Sequence, residues 1–384
     1  MSRFTCAAAV SMLACAVLVP DESRAHAATT NTVLFDREIV RILNEHCVMC
    51  HVSGGPSFAL ASYEETWVRR RAIHDAVLAG RMPLWAAVSG YGEFLNGNAL
   101  TLREKRFVVS WVEGLGPRNA GEVFLNVLDP DADQPAAVRA EPNFDDWRLG
   151  EPDMRLKLPG ATIEPALPTR VVRTAFDTGL TEARSIAALE FMPDDRRFAR
   201  AAFFFVEESG QWLGSWTPWH GFTRLPGGLA YRLAAGARIV AEIHYASEEP
   251  QQLAGQGTIG LHFARGATSE PRGLVFDARG EAGHGTARRR YRAEQSLASD
   301  SRILALRPAV ARGLESVEVS ARTPDGGTEI LLLAVDIPAD WPTPYVFATP
   351  VFLPRGTRLS IVGYFAETAT APPATLRLDV RYAE

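Results

Sequence analysis

The sequence predicts a multidomain chain, a small all-α domain followed by two all-β domains built as antiparallel sandwiches. Two textures along its 384 residues carry that expectation. From Asn31 to about Gly116 apolar residues recur at helical spacing. From Thr169 onward short segments rich in β-branched residues are bounded by Gly, Pro or Asp, with no convincing helix between them. A stretch rich in Pro, Asp, Asn and Gly, without a sustained period, separates the two and reads as a linker. The expected divisions are 1–27, an export signal; 28–118, the helical domain; 119–152, the linker; and 153–268 and 269–384, the two sandwiches.

In the helical part, Phe35, Ile39, Ile42 and Leu43 lead into His46 and then Cys47-Val48-Met49-Cys50-His51. Two cysteines two residues apart, with histidine directly after, are what covalent haem attachment requires. Each thiol adds to one vinyl group of the porphyrin, and the adjacent imidazole is held under the iron. A thioredoxin-like pair does not need His51, and a zinc site needs a second ligand pair that the four cysteines of the chain cannot supply. Ser62-x-x-Glu65 and Thr101-x-x-Glu104 are capping boxes. The first opens a helix with Trp67, Val68, Ile73 and Val77 that stops at Gly80; the second opens one with Phe107, Val108, Trp111 and Val112 that ends at Gly114. Three or more helices around one haem predict a small cytochrome c domain. Met82, in Gly80-Arg81-Met82-Pro83-Leu84-Trp85, is the expected distal iron ligand, a soft neutral thioether that raises the potential. His74 is the alternative and gives a bis-histidine site. Met49 sits inside the attachment loop, poorly placed for the opposite face. Arg69, Arg70 and Arg71 read as a solvated helix face in preference to haem-propionate partners.

The N-terminus agrees with haem attachment. Arg3 precedes an apolar run over 4–20, too short for a comfortable membrane span, and Ala25-His26-Ala27 offers small residues for cleavage. The expectation is a cleaved export signal and a periplasmic mature chain with no integral membrane segment. A lipoprotein through Leu13-Ala14-Cys15 is the lesser alternative, because apolar Ala16-Val17-Leu18-Val19 follows the cysteine. Cys6 and Cys15 leave with the signal and Cys47 and Cys50 carry the haem, so no disulfide remains. A net charge of −5 gives no electrostatic footprint for nucleic acid.

Strands are expected over 169–177, 184–192, 198–207, 238–247, 258–264, 303–310, 316–321, 329–337, 358–365 and 375–382. Trp212, Trp216, Trp219 and Phe222 cluster around His220; packing is preferred there to an aromatic docking surface or a ligand pocket. The run Arg288-Arg289-Arg290-Tyr291-Arg292 reads as a solvated loop in preference to a docking patch for an acidic redox partner.

Gly80–Trp85 as quoted above, Tyr91-Gly92-Glu93-Phe94, Leu100-Thr101, Trp111-Val112-Glu113 and Glu151-Pro152-Asp153 form an ordered set. It continues with Arg196-Arg197-Phe198, Gly214-Ser215-Trp216-Thr217-Pro218, Leu225-Pro226-Gly227-Gly228 and Ile243-His244-Tyr245. Thr323-Pro324-Asp325-Gly326, Tyr345 and Leu353-Pro354-Arg355-Gly356-Thr357 close it. The set resembles bacterial proteins that fuse a cytochrome c domain to a copper type II, ascorbate-dependent monooxygenase-like module. That module is similar to peptidylglycine α-hydroxylating and dopamine β-monooxygenases, and the resemblance implies two jelly-roll-like sandwiches with one copper on each. It also implies an adjacent His-His, a Pro-His-x-His segment, a His-x-His pair and a methionine as copper ligands. Here those positions read Arg200-Ala201, Pro308-Ala309-Val310-Ala311 and His244-Tyr245-Ala246, and no methionine follows Met192. Only His244 remains of the copper ligands, and an arginine brings a fixed positive charge to where a dication would sit. No copper is therefore expected. A rebuilt site from His220, His244, His262 and His284 is the alternative.

The function expected is one-electron transfer by a single covalent haem c held by Cys47, Cys50, His51 and Met82. The β-module would be a copper-less docking or binding scaffold for a periplasmic redox partner, and an enzymatic activity is not favoured. The alternatives are a haem-fed copper monooxygenase near His244 and a haem-based sensor.

Overall fold

Apolar residues at helical spacing give the chain three α-helices among the described residues, and the described residues after them are strand and loop. The computed structural model describes residues 33–119, 144, 146–280, 288–366, 373 and 375–384. The expected export signal 1–27, with Cys6 and Cys15, residues 120–143 and 145 of the expected linker 119–152, and His284 lie outside the described residues. A single π-helical turn, Phe35–Ile39, runs into α1 (Val40–His46); α2 (Tyr63–Leu78) and α3 (Leu102–Glu113) follow. Both capping signals act at the helix starts. Thr101 and Glu104 form the reciprocal box on α3, whereas on α2 Ser62 caps Glu65 N–H and the Glu65 carboxylate accepts from Ala61 N–H instead. Phe35, Ile39, Leu43 and Trp111 form the centre of the small core that these helices share.

The first β-unit contains β1 (Met154–Leu158), β2 (Ala161–Ile163), β3 (Ala166–Asp177), β4 (Arg184–Met192), β5 (Ala199–Val206) and β6 (Trp212–Trp216). It continues with β7 (Phe222–Arg224), β8 (Tyr231–Leu233), β9 (Arg238–Ser247), β10 (Gln251–Leu253) and β11 (Gly257–Phe263). One sheet has the order β3-β9-β5-β6; the other has β1-β11-β4-β7 with β8 also on β4. They face each other across a shared core that includes Phe191, Phe204, Trp216 and Ile243. In β5 the run Phe203-Phe204-Phe205 is buried on both faces. Phe204 points into the sandwich, while Phe203 and Phe205 point outward and meet Ala305 and Val346 of the next unit. An uninterrupted apolar run is what a strand with two covered faces requires.

The second β-unit contains β12 (Arg272–Gly280), β13 (Arg288–Ser296), β14 (Ser301–Pro308), β15 (Leu314–Arg322), β16 (Thr328–Val335), β17 (Tyr345–Leu353), β18 (Arg358–Ala366) and β19 (Thr375–Ala383). All eight belong to one antiparallel sheet of order β16-β15-β18-β13-β12-β19-β14-β17 around a single core. The two edge strands, β16 and β17, are both capped by the loop between α2 and α3. Val88 N–H donates to Leu333 O (2.8 Å) and Val335 N–H to Ala86 O (2.9 Å). At the other edge Leu95 N–H donates to Val346 O (2.7 Å) and Ala348 N–H to Glu93 O (2.9 Å). Trp85 and Phe94 follow the backbone into the core, with ring centroids 5.3 and 5.4 Å from Tyr345. Asn96 locks the joint, its amide donating to Pro344 O and accepting from Val346 N–H. An open sheet edge exposes unpaired backbone groups, and this loop covers both edges at once.

These observations correct the expected fold class. The protein is mostly β, 45% strand and 13% helix, with one of its sheets a half-barrel and with no sizeable all-α cytochrome domain. The loop that a free-standing helical domain would keep for its own core instead completes the eight-stranded sheet. β-sandwich character holds for the first unit, while the second is one curved sheet in place of a two-sheet jelly roll. The basic run from Arg288 is likewise not a loop: it is β13, paired with β18 along its whole length and anchored by buried Tyr291. Arg290 and Arg292 alternate with Tyr291 and Ala293, so the charge run concealed a period-two pattern.

Candidate haem-binding site

The five-residue motif is a tight turn continuing from α1. Cys47 N–H and Val48 N–H both donate to Leu43 O at 2.9 Å, and His51 N–H donates to Cys47 O at 3.0 Å. His51 is 9% exposed, and burial lowers its pKa, which keeps the imidazole neutral. Its Nδ1 lies 2.9 Å from Phe58 O. A carbonyl only accepts, so Nδ1 carries the proton and the lone pair is on Nε2, the arrangement found in metal-binding histidines. Burial also pushes both thiols up to about 12, so Cys47 and Cys50 are protonated at neutral pH, and they are not joined in a disulfide.

Met82 is delivered to the same place by the end of α2. Gly80 has φ 66°, its N–H donates to Val77 O, and Arg81 N–H donates to Ala76 O. This is a Schellman ending, and only a residue without a Cβ enters the left-handed region there without strain. The chain therefore doubles back, and Met82 joins Cys47 and His51 in lining an apolar cavity of about 180 Å³ between the helices. Its remaining walls include Ile42, Leu43, Phe58, Ile73, Val108 and Trp111. Its donor set, one imidazole with its tautomer fixed and one thioether in an apolar enclosure beside a thiol, fits a haem.

The other residues weighed for this site lie elsewhere. The His74 ring is held by Asp75 at 2.9 Å and does not line the cavity. Met49 faces the first β-unit, where its carbonyl accepts from Arg196 and its sulfur lies 3.5 Å from Arg148 Nη2. Arg70 folds over Trp67 at 3.7 Å, and Arg69 and Arg71 are exposed. Cys50 is on the side of the motif facing the first β-unit, within reach of the charges of Arg196 and Arg200. Arg200 is the extra residue of a β-bulge, since Ala199 pairs with Tyr245 and Ala201 with His244. The bulge re-aims its guanidinium, which lies 4.8 Å from the Trp341 ring. Arg196 lies over Phe144 at 3.7 Å, and burial lowers its pKa to about 10.

The copper positions come together in part, but around ions of the protein itself. Ala201 and His244 are cross-strand partners. His244 Nε2 is 3.3 Å from Glu242 Oε1. Arg307, one residue before Pro308, donates to Glu242 Oε1 at 2.7 Å and to Asp379 Oδ2 at 2.6 Å. Burial by itself would raise the pKa of Glu242, but the His244 hydrogen bond and the charges of Arg307, His244 and Arg173 hold it at about 2. One imidazole beside a fixed guanidinium is not a copper site. His220 is half-buried against Phe222, with its pKa lowered to about 4 by desolvation and by Arg148. His262 lies on β11, and neither joins His244 in a ligand cluster. Trp212 and Trp216 are packing residues, 6% and 1% exposed, while Trp219 donates to Asn96 O and so touches the helical region as well.

Among the described residues one group of three side chains does bring ligand atoms within 4.8 Å of one another: Glu45, His46 and Glu104. Sequence reasoning missed it. The only signal was the capping glutamate at 104, whose second carboxylate oxygen had no assigned partner.

No family of known proteins and no curated protein matches this chain. Solved structures that share segments with it include that of infectious bursal disease virus Gt strain (11% identity, 60% of this chain and 71% of that one, TM-score 0.17). Another is the CUB1-EGF-CUB2 domain of human MASP-1/3 (8% identity, 58% and 99%, TM-score 0.14). The secreted serine protease VesC from Vibrio cholerae is a third (9% identity, 58% and 50%, TM-score 0.13). Likeness at this level carries no argument about fold or function.

Proposed function

We propose that the chain is an exported, periplasmic one-electron carrier holding a single covalent c-type haem, with its β-units as a docking scaffold for a redox partner. The observation that carries this reading is the apolar cavity lined jointly by Cys47, His51 and Met82. Cys47 and Cys50 would each add S–H across one vinyl group, His51 would hold the iron through Nε2, and Met82 would meet it through sulfur. Haem bound there supplies ferric–ferrous electron exchange. The surrounding Ile, Leu, Val and Trp side chains exclude water, burial keeps His51 neutral, and the Phe58 carbonyl orients its ring. Arg196 and Arg200, both from the first β-unit, bring their charges to the Cys50 side of the motif, which supports a role for that unit in access from there. No helix among the described residues is long and apolar enough to cross a membrane.

The test is export in a host with haem-attachment machinery, followed by denaturation and a haemochrome spectrum. One haem should stay on the polypeptide and should be lost in the Cys47→Ala/Cys50→Ala variant. Met82→His should retain the haem but lower its reduction potential. A wild-type chain exported intact without covalent haem would refute the reading.

A further inference from the structure

We infer that His46, Glu104 and Glu45 form a binding site for a divalent transition cation of the zinc class, separate from the haem cavity. The inference does not depend on the haem reading. The His46 side chain is 8% exposed, and its Nε2 has no hydrogen-bond partner among the described residues. The tautomer can be assigned from its neighbour. Asn98 Nδ2 donates to His46 O at 3.4 Å, which turns Asn98 Oδ1 towards His46 Nδ1 at 3.2 Å. Oδ1 only accepts, so Nδ1 carries a proton and Nε2 is the ring nitrogen turned to other groups.

That nitrogen faces carboxylates. Glu104 Oε1 is 3.4 Å away and Glu45 Oε1 3.9 Å. The first distance is the edge expected between two ligands bound at about 2.1 Å to one tetrahedral ion, roughly 3.4 Å. Glu104 is already positioned for the task. Its Oε2 accepts from Thr101 N–H and Oγ1–H, both at 2.7 Å, which leaves Oε1 for His46. Glu45 is 70% exposed and free to close the remaining gap. Two carboxylates and a neutral imidazole balance a dication, and Asn98 and Thr101 supply the outer hydrogen bonds that orient such ligands. A bound ion would tie the end of α1 to the start of α3 immediately before Cys47.

The experiment uses the full haem-loaded chain, or the wild-type chain with its thiols alkylated if no haem attaches. The protein is stripped with EDTA and titrated with zinc chloride by calorimetry. One zinc per polypeptide is expected, with zinc-edge absorption showing N/O ligands at about 2.0–2.1 Å and no sulfur at about 2.3 Å. His46→Gln and Glu104→Gln should each weaken binding at least 10-fold, and Asn98→Ala about 10-fold through lost orientation. Glu104→Gln keeps the capping acceptor and Glu45→Gln alters an exposed side chain, so these two carry the test if a His46 variant fails to fold. The absence of saturable binding, sulfur ligation, or affinity unchanged in Glu104→Gln and Glu45→Gln would overturn the assignment.

Discussion

Replacing Arg307 with methionine tests what holds the two β-units together. Its guanidinium is 8% exposed, bonds Glu242 and Asp379, and lies 4.3 Å from the Phe203 ring and 4.9 Å from the Phe205 ring. Methionine keeps the apolar stem but removes the charge between two buried carboxylates. Removing one partner of a buried ion pair costs roughly 3–5 kcal/mol. Arg173 still reaches Glu242 and Arg377 still reaches Asp379, both from half-exposed positions, so the lower end, about 3 kcal/mol, is expected. The loss should depend on pH with a defined sign. The folded-state pKa of Glu242 is depressed from 4.5 to about 2, so its stabilisation is present above 4.5 and is lost as pH falls through that window. At pH 3.5 the wild type has given up about 1.4 kcal/mol of it, because unfolded chains take up a proton that folded chains do not. The variant, in which His244 and Arg173 still hold Glu242 down but Arg307 does not, loses less. Urea unfolding followed by tryptophan fluorescence at pH 7 and pH 3.5 should show the deficit shrinking by part of that amount. A deficit under about 1 kcal/mol at pH 7, or one that does not change with pH, would refute the ion network as the clamp.

Two further predictions follow from the same geometry. Phe94→Ala removes a ring that packs on Trp85, Tyr345 and Phe347 where the loop covers the edge of β17. It should destabilise the protein by about 3 kcal/mol and expose that edge. Sedimentation should then show concentration-dependent self-association that the wild type lacks. His220, lowered from 6.5 to about 4, contributes stability above pH 6.5 that is lost on acidification. Between pH 7 and pH 5 the wild type should therefore lose about 2 kcal/mol more than His220→Gln, as measured by paired urea titrations.

Much of the local structure was legible in the sequence because it depends on neighbours in the chain. The capping residues Ser62 and Thr101, the stop at Gly80, and the period-two strand β18 are set by backbone hydrogen bonding and side-chain alternation within a few residues. The attachment motif is equally local, since Cys47, Cys50 and His51 lie within one turn. Charge and aromatic content concealed other strands: β13 is written in arginines, and β6 in tryptophans and glycine. Both are stabilised by what covers them, which local pattern does not encode.

Only the tertiary structure decided how these pieces combine. The chain after α2 reads as a loop, and nothing local says that it will satisfy both edges of an eight-stranded sheet built from residues far downstream. Those edge groups must be paired, and this segment is the one within reach. The same holds for His244, which the sequence offered as a metal ligand and the fold commits to Glu242 beside Arg307. It holds too for His46 and Glu104, which come together only because α1 and α3 pack. The sequence by itself determined which residues make helix, strand and attachment turn, through short-range sterics and hydrogen bonding. Which polar groups meet across the fold was settled by the burial of distant apolar faces against one another.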